Sequence, residues 1–237
     1  MATFRTSVAL TLAAAFAVLL TLVGYQWPNP ALIYVFRPLA TLILIFLAVH
    51  AWQRSRSVCC QWIVVGLCFS LVGDILLIWP NRYFLAGLAA FLLTHASYLV
   101  AFTRDCKFPA RWSIGLVYLA VAAGFFALLY STLPVTLRIP VAIYAVLLST
   151  MAGQAMGRSL LFENPPARWA ALGALFFMTS DLLLALHRFR KPLLHSTILI
   201  LVSYYTGQWL IAWSTLAARP KGDLARCCIS AAASSPP

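Results

Sequence analysis

Long apolar stretches separated by short polar breaks run along nearly the whole chain. A helix needs ~20 mostly apolar residues to cross a bilayer, and the breaks fall at Pro, Arg and small polar clusters. The pattern predicts one all-α domain over residues 1–218, a polytopic membrane bundle of about eight transmembrane helices. The predicted spans are residues 7–25, 32–52, 58–79, 83–102, 112–131, 134–156, 167–187 and 194–216. Residues 219–237, rich in Ser, Ala and Pro, are predicted to be a disordered cytosolic tail.

Composition supports the same class of protein. The 237 residues are 63% hydrophobic and 9% charged, whereas a soluble domain is ~45–50% apolar and ~25% charged. The net charge of +12 comes from basic residues scattered among the breaks, so we expect no nucleic-acid partner. The six cysteines form no CxxC spacing, which favours reduced thiols over disulfides or a zinc site.

The distribution of basic residues predicts an orientation. With the N-terminus inside, 11 of the 17 Lys and Arg residues fall on the inner side and six on the outer side. Positive residues are enriched in cytoplasmic loops, so both termini are predicted to face the cytosol. The membrane would be the inner or plasma membrane of a bacterium, or the endoplasmic reticulum of a eukaryote.

Two aspartates are the strongest functional candidates. Of the five acidic residues, only Asp74 and Asp181 fall inside predicted spans. An ionisable group at helix-centre depth costs ~2.5–3.5 kcal/mol to insert, and such residues usually mark functional sites. Both spans run in the same direction and each aspartate lies at a similar depth, so we expect the two carboxylates to meet. The alternative is that each aspartate only tethers a neighbouring helix.

The surroundings of the two aspartates are similar. Asp74 follows Gly73 and Asp181 follows Ser180, and small residues allow helices to approach closely. A tyrosine follows each aspartate by 24 positions, at Tyr98 and Tyr205. These matches indicate a parallel repeat of four plus four helices.

Further polar residues within the spans are candidates for substrate binding. Together they are predicted to line a polar cavity below the aspartates. For each one, hydrogen bonding between helices is the alternative. Arg37 would bind a lipid phosphate or hold one carboxylate ionised, unless it only extends to the membrane surface. The histidines have no HxxxH or HExxH spacing, so we expect no metal. The predicted substrate-binding residues are Arg37, His95, Tyr98, Tyr144, Ser180, Tyr204, Tyr205 and Gln208.

Four stretches of the chain form a recognisable set of motifs. They are residues 69–80 (FSLVGDILLIWP), residues 87–91 (GLAAF) continuing to His95 and Tyr98, residues 173–181 (GALFFMTSD) and residues 204–208 (YYTGQ). In this order they resemble the lysoplasmalogenase family, the YhhN-like multi-pass membrane proteins, and the resemblance covers most of the chain from residue 37 to residue 212. Arg37 departs from that pattern, because family members usually carry Lys before the proline, and Arg keeps the charge with a different geometry.

The resemblance implies an eight-helix hydrolase that cleaves the sn-1 vinyl ether of lysoplasmalogens. The products would be a fatty aldehyde and glycerophosphocholine or glycerophosphoethanolamine. The paired aspartates implicated in the family's catalysis fall on Asp74 and Asp181. The substrate would be a lysophospholipid within the membrane, and a homodimer is compatible with the sequence.

Vinyl ether hydrolysis needs one carboxylic acid to protonate carbon and one anion to stabilise the cation that forms. Two close carboxylates that share a proton would supply both, as in glycosidases, without a metal or an organic cofactor. Three other classes stay open. They are a small-solute or proton-coupled transporter using the same aspartate pair, an intramembrane aspartyl protease, and a non-enzymatic lipid-sensing or structural protein.

Overall fold

The computed structural model describes residues 2–191 and 194–216, and for residues 2–4 it describes the backbone alone. The described residues form eight α-helices and no β-strand, which confirms the predicted all-α fold. The predicted tail, residues 219–237, lies outside the described residues. The helices are α1 (Ala2–Gln26), α2 (Pro30–Ser55), α3 (Val58–Leu76), α4 (Pro80–Thr103), α5 (Trp112–Tyr130), α6 (Val135–Phe162), α7 (Pro165–Phe189) and α8 (Ser196–Ser214).

Local sequence sets several helix ends. Asn29 and Asn164 cap α2 and α7, since their side chains accept hydrogen bonds from the backbone N–H groups of Ala31 and Ala167. A proline follows each cap, where its fixed φ suits the first helical turn. Helix α3 ends at Leu76, three residues before the predicted end, because a short turn leads into Pro80 at the start of α4.

The two halves of the bundle share one register. Arg56 and Glu163, 107 positions apart, both adopt the left-handed conformation, with φ of 49° and 48°. They end α2 and α6, and the next helices, α3 and α7, begin two positions later in each half. The same separation joins Asp74 to Asp181. These correspondences agree with the predicted four-plus-four repeat, because equivalent helices of two parallel repeats carry matching positions.

The most extensive packing is within the pairs α1–α2, α3–α4, α5–α6 and α7–α8, and α8 lies centrally, against α1, α2, α3 and α7. Helix α4 packs on α6, whereas α5 lies at the periphery against α6. Helices α7 and α8 cross closely at Gly173 and Gly207. A Cβ added at Gly207 would lie only 2.8 Å from the carbonyl oxygen of Gly173, so a side chain there would not fit without a shift of the backbone.

Seven of the described helices, α1 to α7, are long and apolar enough to span a membrane. Helix α8 falls outside this group; it carries Ser203, Tyr204, Tyr205 and Gln208, which the bundle buries. Large apolar side chains such as Leu12 and Phe46 instead face outward, with 65% and 59% of their surface exposed. An apolar exterior around a polar centre is the organisation of an integral membrane protein.

Candidate active site

Asp74 is fully buried and hydrogen-bonded on both carboxylate oxygens. Thr41 and Tyr204 donate hydrogen bonds to Oδ2 at 2.5 and 2.7 Å. Arg37 Nε lies 3.4 Å from Oδ1. The same guanidinium donates through Nη1 to Tyr25 Oη at 3.0 Å and to the carbonyl of Leu77 at 3.2 Å. Asp74 therefore has a buried cationic partner and two hydroxyl donors.

A chain of hydrogen bonds leads from α4 to Asp74. Tyr98 donates to Gln208 Oε1 at 2.5 Å, and Gln208 Nε2 donates to Ser70 Oγ at 2.5 Å. Ser70 lies 2.5 Å from Tyr204 Oη, and it is the donor of this pair because the Tyr204 proton goes to Asp74. Each member is buried, so the network satisfies groups that would otherwise be costly inside the bundle.

Asp181 has different partners. Tyr144 Oη donates to Asp181 Oδ2 at 2.7 Å. His95 Nε2 lies 3.2 Å from the same oxygen and 2.9 Å from Tyr144 Oη. No described residue donates a hydrogen bond to Oδ1, and no arginine or lysine of the described residues pairs with this carboxylate. His95 itself is fully buried, and its Nδ1 has no described partner.

Aromatic rings separate the two carboxylate clusters. Phe177 packs edge-on against both His95 and Tyr204, with ring centroids 4.7 and 5.4 Å apart. Phe91 packs against Phe177 and Tyr204 in the same way. Among the described residues, α3 and α7 do not pack directly on each other, and no hydrogen bond joins Asp74 to Asp181.

The prediction that the two carboxylates meet and share a proton is therefore wrong for this structure. The two aspartates do not meet because α8 packs against both α3 and α7 and places its aromatic and polar side chains at the centre of the bundle. Asp74 and Asp181 still occupy equivalent positions, each 16 residues after the first residue of its helix.

Asp181 lies at the wall of a largely apolar cavity, and Asp74 does not. The cavity has a volume of about 80 Å³ and is partly open to the outside. Its polar lining is small and centres on Asp181 and Tyr144. The lining comes mainly from α4, α5, α6 and α7 and includes Leu88, Phe91, Ala122, Phe125, Phe126, Leu148, Met178 and Ala185.

The predicted substrate-binding residues divide between four environments. Tyr144 alone lines this cavity, and His95 reaches it through Tyr144 and Asp181. Ser180 donates to the carbonyl of Ile200 and joins α7 to α8. Tyr205 donates to the carbonyl of Arg37 and lines a separate groove between α1, α2 and α8. The remaining four, which belong to the network at Asp74, are Arg37, Tyr98, Tyr204 and Gln208.

The cavity that Asp181 faces is not the predicted polar one, because its lining is largely apolar and Tyr144 is the one predicted substrate-binding residue in it. Sequence reasoning also missed Thr41 and Ser70, both bonded to the Asp74 network. The spacing of both residues could have predicted this. Thr41 is four positions after Arg37, and Ser70 is four positions before Asp74, so each pair lies on one face of its helix.

A second buried ion pair lies at the opposite end of the bundle. Arg158 donates two hydrogen bonds to the Asp105 carboxylate, at 2.8 and 2.5 Å. Gln154 holds the adjacent loop by accepting from the Ala110 N–H and donating to the carbonyl of Phe102. These contacts tie the loop between α4 and α5 to α6. Within residues 2–191 and 194–216, no three His, Cys, Asp or Glu side chains are grouped to hold a metal.

The fold and the site define an integral membrane protein with an acidic residue facing an apolar chamber inside its helical bundle. Residues 32–215 match the model of the YhhN family. The chain belongs to the YhhN family, which confirms the resemblance seen in its motifs.

Relatives with assigned names agree with this membership. The chain is 40% identical over 162 residues to "Lysoplasmalogenase TMEM86A" of Homo sapiens, an alignment that covers 66% of each protein. It is 33% identical over 184 residues to "Lysoplasmalogenase TMEM86B" of Homo sapiens, covering 77% of the chain and 76% of the relative. "Uncharacterized membrane protein YhhN" of Escherichia coli O157:H7 is 29% identical over 185 residues, covering 76% of the chain and 86% of the relative. No solved structure matches the chain.

Proposed function

We propose that this protein is a lysoplasmalogenase that hydrolyses the sn-1 vinyl ether of lysoplasmalogens within the membrane. The products are a fatty aldehyde and glycerophosphocholine or glycerophosphoethanolamine. The observation that carries the proposal is the position of Asp181, whose carboxylate lies at the wall of an apolar cavity among membrane-spanning helices. The relatives named lysoplasmalogenase support the substrate class.

The reaction begins with proton transfer from the Asp181 carboxylic acid to the β-carbon of the vinyl ether. The double bond supplies the electron pair for the new C–H bond, and the α-carbon becomes an oxocarbenium ion. Water adds to that carbon and returns a proton to the Asp181 carboxylate. The hemiacetal then loses its hydroxyl proton, its bond to the glycerol oxygen breaks, and the glycerol oxygen takes up a proton.

Tyr144 and His95 position the acid for this step. Both contact Oδ2 of Asp181, which fixes the side chain and leaves Oδ1 without a partner among the described residues. The carboxylate that remains after proton transfer lies beside the developing cation. Electrostatic stabilisation of this kind is stronger in apolar surroundings, where water does not screen the charges.

Asp74 takes a different part in the proposed mechanism. Asp74 has three donors and is not among the residues that line the cavity, so we assign it a positioning role, although the sequence suggested a direct catalytic one. It holds Arg37 and Tyr204, and Tyr204 packs against Phe91, which lines the cavity. Asp74 therefore acts on the shape of the cavity wall through these contacts.

The apolar lining suits the alkenyl chain, because burying apolar surface contributes ~25 cal/mol per Å². No metal ion or organic cofactor enters the proposed steps. The excess of basic residues on the side of the N-terminus supports an orientation with both termini in the cytosol.

The test is incubation of the purified protein with an alkenyl lysophospholipid and with its ester analogue, in separate reactions. We expect fatty aldehyde from the alkenyl lipid and no fatty acid from the ester. In D₂O, the aldehyde should carry one deuterium at C2, because the proton donor exchanges with solvent before it protonates carbon. Aldehyde incubated without enzyme controls for exchange. Fatty acid release without aldehyde would contradict the proposal.

The repeated halves also support a second candidate, a proton-coupled transporter, because parallel repeats are common in transporters. Transporter sites typically use interrupted helices, whereas α3 and α7 run unbroken through Asp74 and Asp181. Solute uptake into liposomes that depends on Asp181, with no aldehyde release, would favour the transporter.

A further inference from the structure

We infer that Arg188 binds the phosphate of the substrate head group at the mouth of the cavity and makes the site selective for phosphorylated lysolipids. This inference rests on the proposed function and adds a specificity-determining residue to it. Three features of the described residues carry it: the place of Arg188 on α7, its contact with the cavity wall, and the charges around it.

Arg188 lies on the same face of α7 as Asp181. The two residues are seven positions apart, which is close to two full turns and about 10 Å along the helix axis. Helical side chains lean toward the N-terminus of their helix, so the guanidinium extends back over the turn that contains Leu184 and Ala185. Both of those residues line the cavity.

The guanidinium also rests on the cavity wall. It lies over the ring of Phe84, 5.1 Å from the ring centroid. Phe84 packs edge-on against Phe189 at 5.7 Å, and both rings line the cavity. Arg188 therefore lies at the end of the chamber beyond Asp181, where a lipid with its chain inside would place its head group.

No acid among the described residues neutralises the charge of Arg188. Its hydrogen-bond partner is the neutral side-chain oxygen of Asn81, at 3.3 Å. Among the described residues, Asp74 pairs with Arg37 and Asp105 pairs with Arg158 at the other end of the bundle. An exposed guanidinium with a weak neutral partner is suited to bidentate binding of phosphate.

The dimensions of the substrate fit this arrangement. Five bonds separate the sn-1 ether oxygen from the phosphorus of a lysophospholipid, a span of about 6 Å when extended. A vinyl ether at Asp181 would therefore place the phosphate within reach of the Arg188 side chain. An alkenylglycerol without phosphate would place only a hydroxyl there.

The experiment measures binding and turnover by the purified full chain in lipid nanodiscs. The binding probes are a saturated 1-O-alkyl lysophospholipid, which cannot be hydrolysed as a vinyl ether, and the matching alkylglycerol. Arg188→Gln should weaken binding of the phospholipid at least about fivefold and leave alkylglycerol binding unchanged. With the alkenyl substrates, the same variant should raise KM for the phospholipid and spare kcat. Arg82→Gln is the matched control, since Arg82 is exposed and lies over Tyr83, which is outside the cavity lining.

Equal losses for both probes, or no loss for either, would overturn the inference. Arg188→Lys tests the same point if the glutamine variant does not fold, and it should retain part of the preference for phosphate. If the wild-type protein released no aldehyde yet the binding pattern held, the proposed function alone would fail. If aldehyde were released but phosphate made no difference to binding, the role of Arg188 alone would fail.

Discussion

Arg37 and Tyr144 occupy equivalent positions in the two halves of the bundle, and each contacts the aspartate of its own half. Each lies 37 residues before that aspartate. Arg37 Nε is 3.4 Å from Asp74 Oδ1, and Tyr144 Oη donates to Asp181 Oδ2 at 2.7 Å. One aspartate therefore has a permanent cation beside it, whereas the other has a neutral hydroxyl.

This difference assigns separate parts to the two aspartates. The ion pair of Asp74 is enclosed by hydrogen bonds and lies outside the cavity lining. Asp181 lies at the cavity, with one carboxylate oxygen bonded to Tyr144. We therefore propose that one half of the repeat is structural and the other reactive, although the sequence around the two aspartates is similar.

Asp74→Asn should destabilise the protein more than Asp181→Asn does. The change leaves the Arg37 guanidinium buried without a counter-ion, and breaking a buried pair costs about 3–5 kcal/mol. The Asp181 side chain is 13% exposed at the cavity and has no arginine partner. Thermal unfolding of both variants in the same detergent measures the difference in stability. Equal melting temperatures would contradict the structural role of the buried ion pair between Asp74 and Arg37.

Tyr144→Phe should lower kcat about tenfold, because it removes the hydrogen bond by which Tyr144 holds Oδ2 of Asp181. A single hydrogen bond contributes only about 0.5–1.5 kcal/mol to stability, so the variant should still fold. The remaining partner, His95, keeps Asp181 near its position. Tyr118→Phe on α5 is the control, since the Tyr118 hydroxyl makes no hydrogen bond with the described residues. The measurement is kcat of both variants with an alkenyl lysophospholipid. Equal kcat values for Tyr144→Phe and Tyr118→Phe would refute the positioning role of Tyr144.

Ala122→Phe should shorten the alkenyl chains that the enzyme accepts. Ala122 is buried on α5 and lines the cavity, so a larger side chain would fill space that the lipid chain needs. Ala123→Phe places the same side chain on the exposed neighbouring position. Turnover rates measured over a series of alkenyl chain lengths should fall for the long chains in Ala122→Phe only. If Ala122→Phe kept the wild-type dependence on chain length, the alkenyl chain would have to bind outside this cavity.

The close crossing of α7 and α8 should tolerate no side chain at Gly207. A Cβ there would lie 2.8 Å from the Gly173 carbonyl oxygen and 2.9 Å from the Phe177 nitrogen. We expect Gly207→Ala to cost about 1–3 kcal/mol through backbone displacement. Gly124→Ala on α5 meets nothing within 4 Å and should be neutral or stabilising by up to ~1 kcal/mol. If Gly207→Ala and Gly124→Ala changed the melting temperature by the same amount, the close packing of α7 on α8 at Gly207 would be contradicted.

The sequence predicted the helices and the aspartates for a simple physical reason. Lipid tolerates few charges, so Asp74 and Asp181 are conspicuous within apolar spans. The repeat was visible in the residues around both aspartates, and the common spacing of Arg37 and Tyr144 from them was also present in the sequence. Hydropathy does not encode which helices become neighbours, so the separation of α3 from α7 by the side chains of α8 could not be predicted.

The same limit applies to the cavity. Phe125 and Phe126 on α5 belong to an apolar run that reads as a lipid-facing helix, and only the packing of α4 to α7 turns one side of that run into a chamber wall. Polar residues such as Tyr98 and Gln208 suggested a wet cavity, yet they bond to each other inside the bundle. Residue type predicted polarity, and tertiary packing decided what the polar groups face.

The central claim is that Asp181 donates the proton to the substrate. The most direct measurement is single-turnover aldehyde formation from an alkenyl lysophospholipid by the wild-type protein and by folded Asp181→Asn in nanodiscs. Loss of a general acid typically lowers the rate about 10²- to 10⁴-fold, and we predict a loss in this range while binding of the saturated ether analogue is retained. Aldehyde formation at the wild-type rate by the folded variant would contradict the account.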